Sequence, residues 1–354
     1  MLFAWGMQVQ ASVILIPMDA EGQENHLKAY GITYWVLTKQ QKVQWLLNYR
    51  GGSFLLPDGE AIRNECRIRG VSFEVLSDAE AEEILQTISS PSQNMEAVIL
   101  EKAPKIAVYS PKDNQPWDDA VTMVLTYAEI PYVTIYDEEV LDDKLAIYDW
   151  LHLHHEDFTG QYGKFYGAYR AAPWYIEGKK QAESLARKLG YDKVSEEKGA
   201  VAQKIRNYVI GGGFMFAMCS ATDSFDIALS AEGVDICEPM FDGDPSAPNY
   251  QQRLDFSKTF AFTDYVLERN PRRYEFSSID MTNKRDDIPR DSDYFTLMDF
   301  SAKWDPVPTM LCQNHTALVK GFMGQTTAFT RDQIKPTVLV LGENKLNGEA
   351  RYIH

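Results

Sequence analysis

Short apolar runs rich in β-branched residues alternate with segments of helical period along most of the chain. Residues 12–19 (SVILIPMD), 42–49 (KVQWLLNY), 71–77 (VSFEVLS) and 95–101 (MEAVILE) read as strands. Between them, residues 25–40, 59–70 and 78–90 carry apolar side chains at helical spacing. Gly70 stops the second helix, and acidic residues sit in the first turn of the third, where the helix dipole favours them. Pro91 and Pro104 punctuate the chain, and the alternation then resumes. Residues 105–110, 131–137, 145–155 and 213–219 read as strands, and 117–128, 179–190, 201–212 and 224–230 as helices. Strands separated by helices of this length predict an α/β fold with doubly wound, mostly parallel sheets. Two units are expected, residues 12–103 and 104–354, the second carrying an irregular insertion over about residues 240–330. In such sheets ligands gather at the carboxyl ends of the strands.

The formal charge of -16 excludes an extended nucleic-acid surface, which needs clustered Lys and Arg. It suits a small-molecule or protein partner and leaves the oligomeric state open. No run approaches the roughly 18 apolar residues of a membrane-spanning helix. Residues 1–11 are apolar and end in Val9-Gln10-Ala11, a pattern fitting a truncated export signal and a periplasmic or exported location; a ragged first strand in a cytoplasmic protein is the alternative. The last residues, 348–354, read as strand with no stop signal, which suggests a shortened C-terminus. The four cysteines, Cys66, Cys219, Cys237 and Cys312, show no C-x-x-C spacing and read first as small buried hydrophobes.

Cys219 stands apart. Three glycines (211–213) lead into an apolar strand that ends at this residue, and small residues open a helix after it. A strand-to-helix elbow exposes a nucleophile, and a helix N-terminus lowers a thiol pKa. Ala217 and Ala221 occupy the places where a G-x-C-x-G elbow has glycine, so a nucleophile and a buried thiol fit the pattern equally. Ser220, Thr222 and Asp223 follow as candidate substrate-binding residues. Read as a phosphate loop, residues 220–224 (SATDS) lack the glycines that let backbone wrap pyrophosphate.

A second cluster packs His152, His154, His155, Glu156 and Asp157 into six positions. Strand alternation would put His152, His154 and Glu156 on one face, a set able to bind a divalent metal such as Zn²⁺ or Fe²⁺. Hydrogen bonding or substrate contact is the favoured alternative for these side chains. His154, His155 and Glu156 are candidate catalytic partners for Cys219. The glycine- and aromatic-rich run 158–175 follows, with Lys164 and Arg170 as candidate ligand contacts; a packed surface loop is the other reading. Residues 48–54 (NYRGGSF) fit an anion-binding turn or a plain hairpin connection.

The segment GGGFMFAMCSATDSF resembles the central segment of trehalose-utilisation-type (ThuA-like) proteins, which share the class I glutamine amidotransferase fold. Cys219 stands where that family often has His, and Ala221, Thr222 and Asp223 match its small-Ala-Thr-Asp run. Nearly the whole chain after Ser12 also resembles a family of exported proteins labelled asparagine synthetase B, through ILIPMDAEGQENHLKAYGITYWVL, WLLNYRGGSFLLPD, WLHLHHEDFTGQYGKFY and DFSAKWDPVPTMLCQNHT. The resemblance implies a flavodoxin-like or amidotransferase-like sheet and a cysteine-dependent hydrolase or amidotransferase using Cys219. A non-catalytic ligand-binding or scaffold protein on the same fold is the alternative. Glutamine-hydrolysing asparagine synthesis fits poorly: residue 2 is Leu where such enzymes need Cys, and the pyrophosphate loop is degenerate. The late His-x-Glu of class I amidotransferases is missing, and His315 lies outside that pattern. The resemblance implies a longer chain with a late histidine.

Overall fold

The computed structural model describes residues 12–111, 120–281, 293–298, 301–304, 315–316, 318–321 and 324–354. The export-signal expectation and Cys312 lie outside these residues. The protein is mixed α/β, with one parallel and two antiparallel sheets. Among the described residues, no helix is long and apolar enough to cross a membrane. The chain forms two compact units. The first comprises Met1–Pro104, Asp119–Pro131 and Asp299–Ala317, and the second Lys105–Asp118, Tyr132–Met298 and Leu318–His354.

The first unit contains β1 (Ser12–Ile16), α1 (His26–Thr38), β2 (Val43–Leu47), β3 (Ser53–Pro57), α2 (Glu60–Arg69), β4 (Glu74–Ser77), α3 (Asp78–Ser89), β5 (Glu96–Leu100) and α4 (Ala120–Ala128). Its sheet has the order β4-β1-β3-β2-β5, and every pair in it is antiparallel. The expected parallel sheet is therefore not formed here. The cause is local: Asn48, Arg50, Gly51 and Gly52 all take positive φ, so β2 turns straight back to pair Leu46 with Ser53. A parallel pair would need a crossover of a dozen or more residues. Residues 48–54 are thus a hairpin connection, and Arg50 is held by Asp19 (2.8 Å) and Glu74 (2.9 Å).

Period-two alternation splits the apolar side chains of this sheet between its faces. Ile14, Ile16, Phe54 and Leu56 pack with Ile32 and Val36 of α1 and with Ile62 and Cys66 of α2. Leu15, Leu46 and Leu55 pack with Ile88 of α3. Ser77 and Glu80 form a reciprocal capping box that starts α3. Helix α4 packs on α1 across Gly31, where a Cβ would lie 1.8 Å from the Ala128 carbonyl oxygen. Only glycine permits that approach.

The second unit contains β6 (Ile106–Tyr109), β7 (Tyr132–Ile135), α5 (Asp137–Leu141), β8 (Trp150–Leu153), α6 (Tyr166–Tyr169), α7 (Pro173–Lys188), α8 (Val194–Ile210), β9 (Phe214–Ala217) and α9 (Ala221–Ser230). Its parallel sheet has the order β7-β6-β8-β9. The chain steps outward from β6 to β7, then returns to the other side of β6 with β8, so the order reverses between β6 and β8. Val201, Ala202 and Ile205 of α8 and Phe225 and Leu229 of α9 bury one apolar cluster with Tyr109, Leu151 and Leu153. Strand β8 is shorter than residues 145–155 suggest. Residues Lys144–Ile147 form a 3-10 turn, and the strand ends at Leu153, in register with the last residues of β6 and β9. Among the described residues, the stretch 243–281 is largely turns, bends and 3-10 segments. It leads into an antiparallel sheet, β11-β10-β12-β13, built from β10 (Tyr294–Leu297), β11 (Leu318–Lys320), β12 (Val340–Glu343) and β13 (Ala350–Ile353).

Candidate functional site

The carboxyl edge of the parallel sheet gathers the chemistry-bearing residues of the second unit. Met218 N–H donates to the Leu153 carbonyl (2.9 Å), so the segments leaving β8 and β9 start as neighbours. The Ser220 hydroxyl then donates to the His155 carbonyl (2.7 Å), and the Ser224 hydroxyl to the Glu156 carbonyl (3.0 Å). These bonds fasten the histidine-rich loop onto the first turn of α9. The two stretches singled out in the sequence therefore share one edge.

Cys219 lies at the tip of the elbow, with φ 53°. This left-handed backbone is uncommon for a residue with a side chain, and such strain concentrates at functional sites. The Thr222 hydroxyl donates to the Cys219 carbonyl (2.7 Å) and closes the turn. The electrostatics differ from a thiolate-activating elbow. Burial pushes the Cys219 thiol up to about 11, and the carboxyls of Asp223, Asp280 and Glu156 add to the shift. The backbone N–H of Ser220 opposes them and is outweighed. The helix N-terminus alone does not produce a thiolate here.

Asp223 is fully buried in the first turn of α9. Its Oδ1 accepts from the Thr326 hydroxyl (2.9 Å), while its Oδ2 has no hydrogen-bond partner among the described residues. Asp280 Oδ2 accepts from Thr326 N–H (2.9 Å), so one residue ties both carboxyls together. Burial, then the Asp280 charge, hold the Asp223 carboxyl well above the usual carboxylate range. Asp223 is thus a buried carboxyl beside the elbow whose charge is disfavoured by its surroundings.

Among the described residues, His152, His154 and Glu156 are not a group that brings three ligand atoms together, although the His152 and His154 rings lie 6.1 Å apart. His152 is enclosed within β8, its ring stacked on Phe216 at 5.8 Å. His154 and His155 lie beyond the strand end, where alternation no longer governs direction, and their rings meet edge to face at 4.4 Å. Glu156 Oε2 accepts from the His154 N–H (3.0 Å). Among the described residues, the group that brings three ligand atoms together is Asp235, Cys237 and Asp242. There Lys193 Nζ lies 2.5 Å from Asp235 and 3.1 Å from Asp242, so an ammonium already supplies the positive charge.

The two candidate cationic contacts are engaged elsewhere. Lys164 is buried, and its Nζ donates to the Glu268 carbonyl (2.8 Å). Arg170 is exposed, donates to the Gly167 carbonyl (2.8 Å) and lies over the Tyr166 ring. Asp157 organises its own loop by accepting from Thr159 N–H (2.6 Å) and Gly163 N–H (2.9 Å). His315 belongs to the first unit, where its Nε2 meets the Tyr30 hydroxyl at 2.8 Å.

Two sets of residues escaped the sequence reading. Asp280, Thr326 and Tyr274 come from irregular chain with no periodic signal. The other set is a buried ionic cluster at the carboxyl ends of β6 and β7. Lys198 Nζ lies 2.6 and 2.8 Å from the Asp137 carboxylate oxygens, 2.9 Å from the Tyr109 hydroxyl and 3.0 Å from that of Tyr136. Burial opposes the Lys198 charge, but Asp137 and its neighbours outweigh it and leave the ammonium firmly protonated. Burial raises Glu197 to about 8 against the pull of Lys198, with Asp137 adding to the rise. A signal existed: Glu197 and Lys198 share the buried stripe of α8 with Val194, Val201 and Ile205, where charged residues rarely go unpaired.

No protein-family model, curated protein or solved structure matches the chain.

Proposed function

We propose that the second unit binds a small molecule at the carboxyl edge of its parallel sheet and acts on it as a cysteine-dependent hydrolase or amidotransferase. The strand order supports a flavodoxin-like or class I amidotransferase-like reading. Numbered from β6, it runs 2-1-3-4, and ligands in such sheets sit where the order reverses, here between β6 and β8. The observation that carries the proposal is the left-handed backbone of Cys219 at the tip of a strand-turn-helix elbow. Strain of this kind aims a side chain outward and persists only where the surroundings enforce it. In this reading the Cys219 thiol gives its proton to solvent, Sγ bonds to the carbonyl carbon of an ester or amide, and the C–O or C–N bond breaks as the leaving alcohol or amine takes a proton from solvent.

The raised thiol supports a second reading, a non-catalytic binding module on the same fold. At pH 7 a thiol with a pKa near 11 is thiolate in only about one molecule in ten thousand. An exported location remains a proposal beside either reading.

Trapping separates the two. The protein is incubated with a panel of activated esters and primary amides, and intact-mass and peptide spectra are recorded. An acyl adduct on Cys219, absent in Cys219→Ala, supports the enzyme. No adduct across the panel, with ligand binding unchanged in Cys219→Ala, supports the binding module.

A further inference from the structure

One short segment, Gln325 and Thr326, ties the loops that carry exposed aromatic rings to the buried carboxyls beside the Cys219 elbow. Gln325 Nε2 donates to the Tyr274 carbonyl and lies 3.4 Å from the Gly163 carbonyl, which clamps the two loops carrying Tyr274 and Phe165. The next residue, Thr326, clamps Asp223 and Asp280. The Phe165 ring lies 5.8 Å from Tyr274, 5.8 Å from Trp174 and 6.0 Å from Tyr169. Tyr169, Trp174 and Tyr274 are 46%, 54% and 39% exposed, high values for large rings that touch one another. On the acidic side, Asp223 Oδ2 is buried without a hydrogen-bond partner among the described residues. The Tyr274 side chain is close enough to Cys219 and Asp280 for both to raise its phenol, after burial, to about 12.

We propose that the aromatic cluster of Phe165, Tyr169, Trp174 and Tyr274, with the carboxyls of Asp223 and Asp280, binds an organic cation, an alkylammonium or guanidinium group, beside Cys219. Aromatic faces attract such cations through their quadrupoles, and desolvation strengthens the attraction. A buried carboxyl oxygen with no partner supplies the counter-charge that rings alone lack. The nearby basic side chains do not fill this place: Lys164 is directed to Glu268, and Arg170 to Gly167 and Tyr166. In the free protein burial and the Asp280 charge disfavour the ionised Asp223 carboxyl. An arriving cation favours the ionised form, so protons that the carboxyl holds leave to solvent on binding, and binding strengthens as pH rises. Glu156, Asp280, Tyr274 and the Cys219 thiol are the other titratable groups named around it. A cation there also favours the Cys219 thiolate, which links ligand class to nucleophile activation.

This inference deepens the proposed activity in ligand class and rests on that reading only for its link to the thiol. Choline and butylguanidinium are compared with their neutral counterparts, 3,3-dimethylbutan-1-ol and butylurea. Calorimetry in buffers of different ionisation enthalpy measures binding and proton release, and iodoacetamide alkylation followed by mass spectrometry gives the apparent Cys219 pKa. The cations are expected to bind with proton release and to lower that pKa by one unit or more, about a tenfold gain in alkylation rate at pH 8. The neutral molecules should do neither. Asp223→Asn and the exposed Trp174→Ala should each weaken cation binding about tenfold; the second keeps the test valid if the first fails to fold. Equal binding of charged and neutral probes, or no binding of the cations, overturns the inference. Cation binding with no acyl adduct in the trapping experiment retains the cation site and removes the hydrolase, and the converse result does the reverse.

Discussion

The two units place their charges differently. In the antiparallel first unit, Arg50 pairs with Asp19 and Glu74, Arg63 with Asp58, and Lys28 with Glu129, all at sites open to water in part. In the parallel second unit, Asp137, Glu197, Lys198 and Asp223 are nearly or fully withdrawn from solvent. Connection explains the contrast. A hairpin-linked sheet can close with short turns, whereas parallel strands end together and send their following segments over one edge. Polar residues leaving that edge are covered by the segments that return. Surface charges contribute little to stability, while buried charges hold the fold only as intact sets.

The largest expected effect tests that contrast directly. Lys198→Met leaves the Asp137 carboxylate buried without its ammonium and should cost about 3–5 kcal/mol in urea unfolding. The double substitution with Asp137→Leu should recover most of the loss, and failure to recover would show that packing rather than charge dominates. In the first unit, Gly31→Ala drives a methyl into the Ala128 carbonyl and should cost about 1–3 kcal/mol, reduced by alanine's better helix propensity. Arg50→Ala, at a partly exposed pair, should cost less than about 1 kcal/mol; a loss equal to that of Lys198→Met would erase the distinction between the units.

Acidity sharpens the comparison further. Glu197 is raised from the ordinary 4.5 to about 8 in the folded protein, so the native state binds more protons than the unfolded chain between those values. Its contribution is therefore largest at low pH and is lost as pH rises from about 4.5 to 8. Glu197→Gln should flatten that part of a urea-midpoint profile, and an unchanged slope would assign the dependence to other groups. The cysteines give the smallest effect. Burial raises Cys66 and Cys219 alike to about 11, but Cys66 is enclosed and Cys219 only half-buried. Native protein at pH 10 should alkylate at Cys219 before Cys66, and the opposite order would show that the elbow is closed.

Much of the secondary structure was legible because its signals are local. Helical spacing marked α1, α3 and α9, and acidic residues in its first turn marked the start of α3. The elbow was legible for the same reason, since an apolar strand, a small residue and a helix are contiguous. Strand direction was not, because alternation of strands and helices also suits an antiparallel sheet with helices on both faces, as the first unit shows. The alternation behind the metal reading of His152, His154 and Glu156 stops at Leu153, where β8 ends level with β6 and β9. Lys198 could have been found from its place on the buried stripe of α8.

By itself, the sequence determined an α/β protein, the positions of most helices and strands, and the placement of Cys219 at a strand-to-helix turn. These depend on periodicity and on turn chemistry within a few residues. Tertiary structure alone decided the antiparallel first sheet, the buried, carboxyl-lined surroundings of Cys219 and the pairing of Asp223 with Asp280 through Thr326. Those features join residues separated by dozens of positions, and both hydrogen bonding and desolvation act through space with no trace in local order.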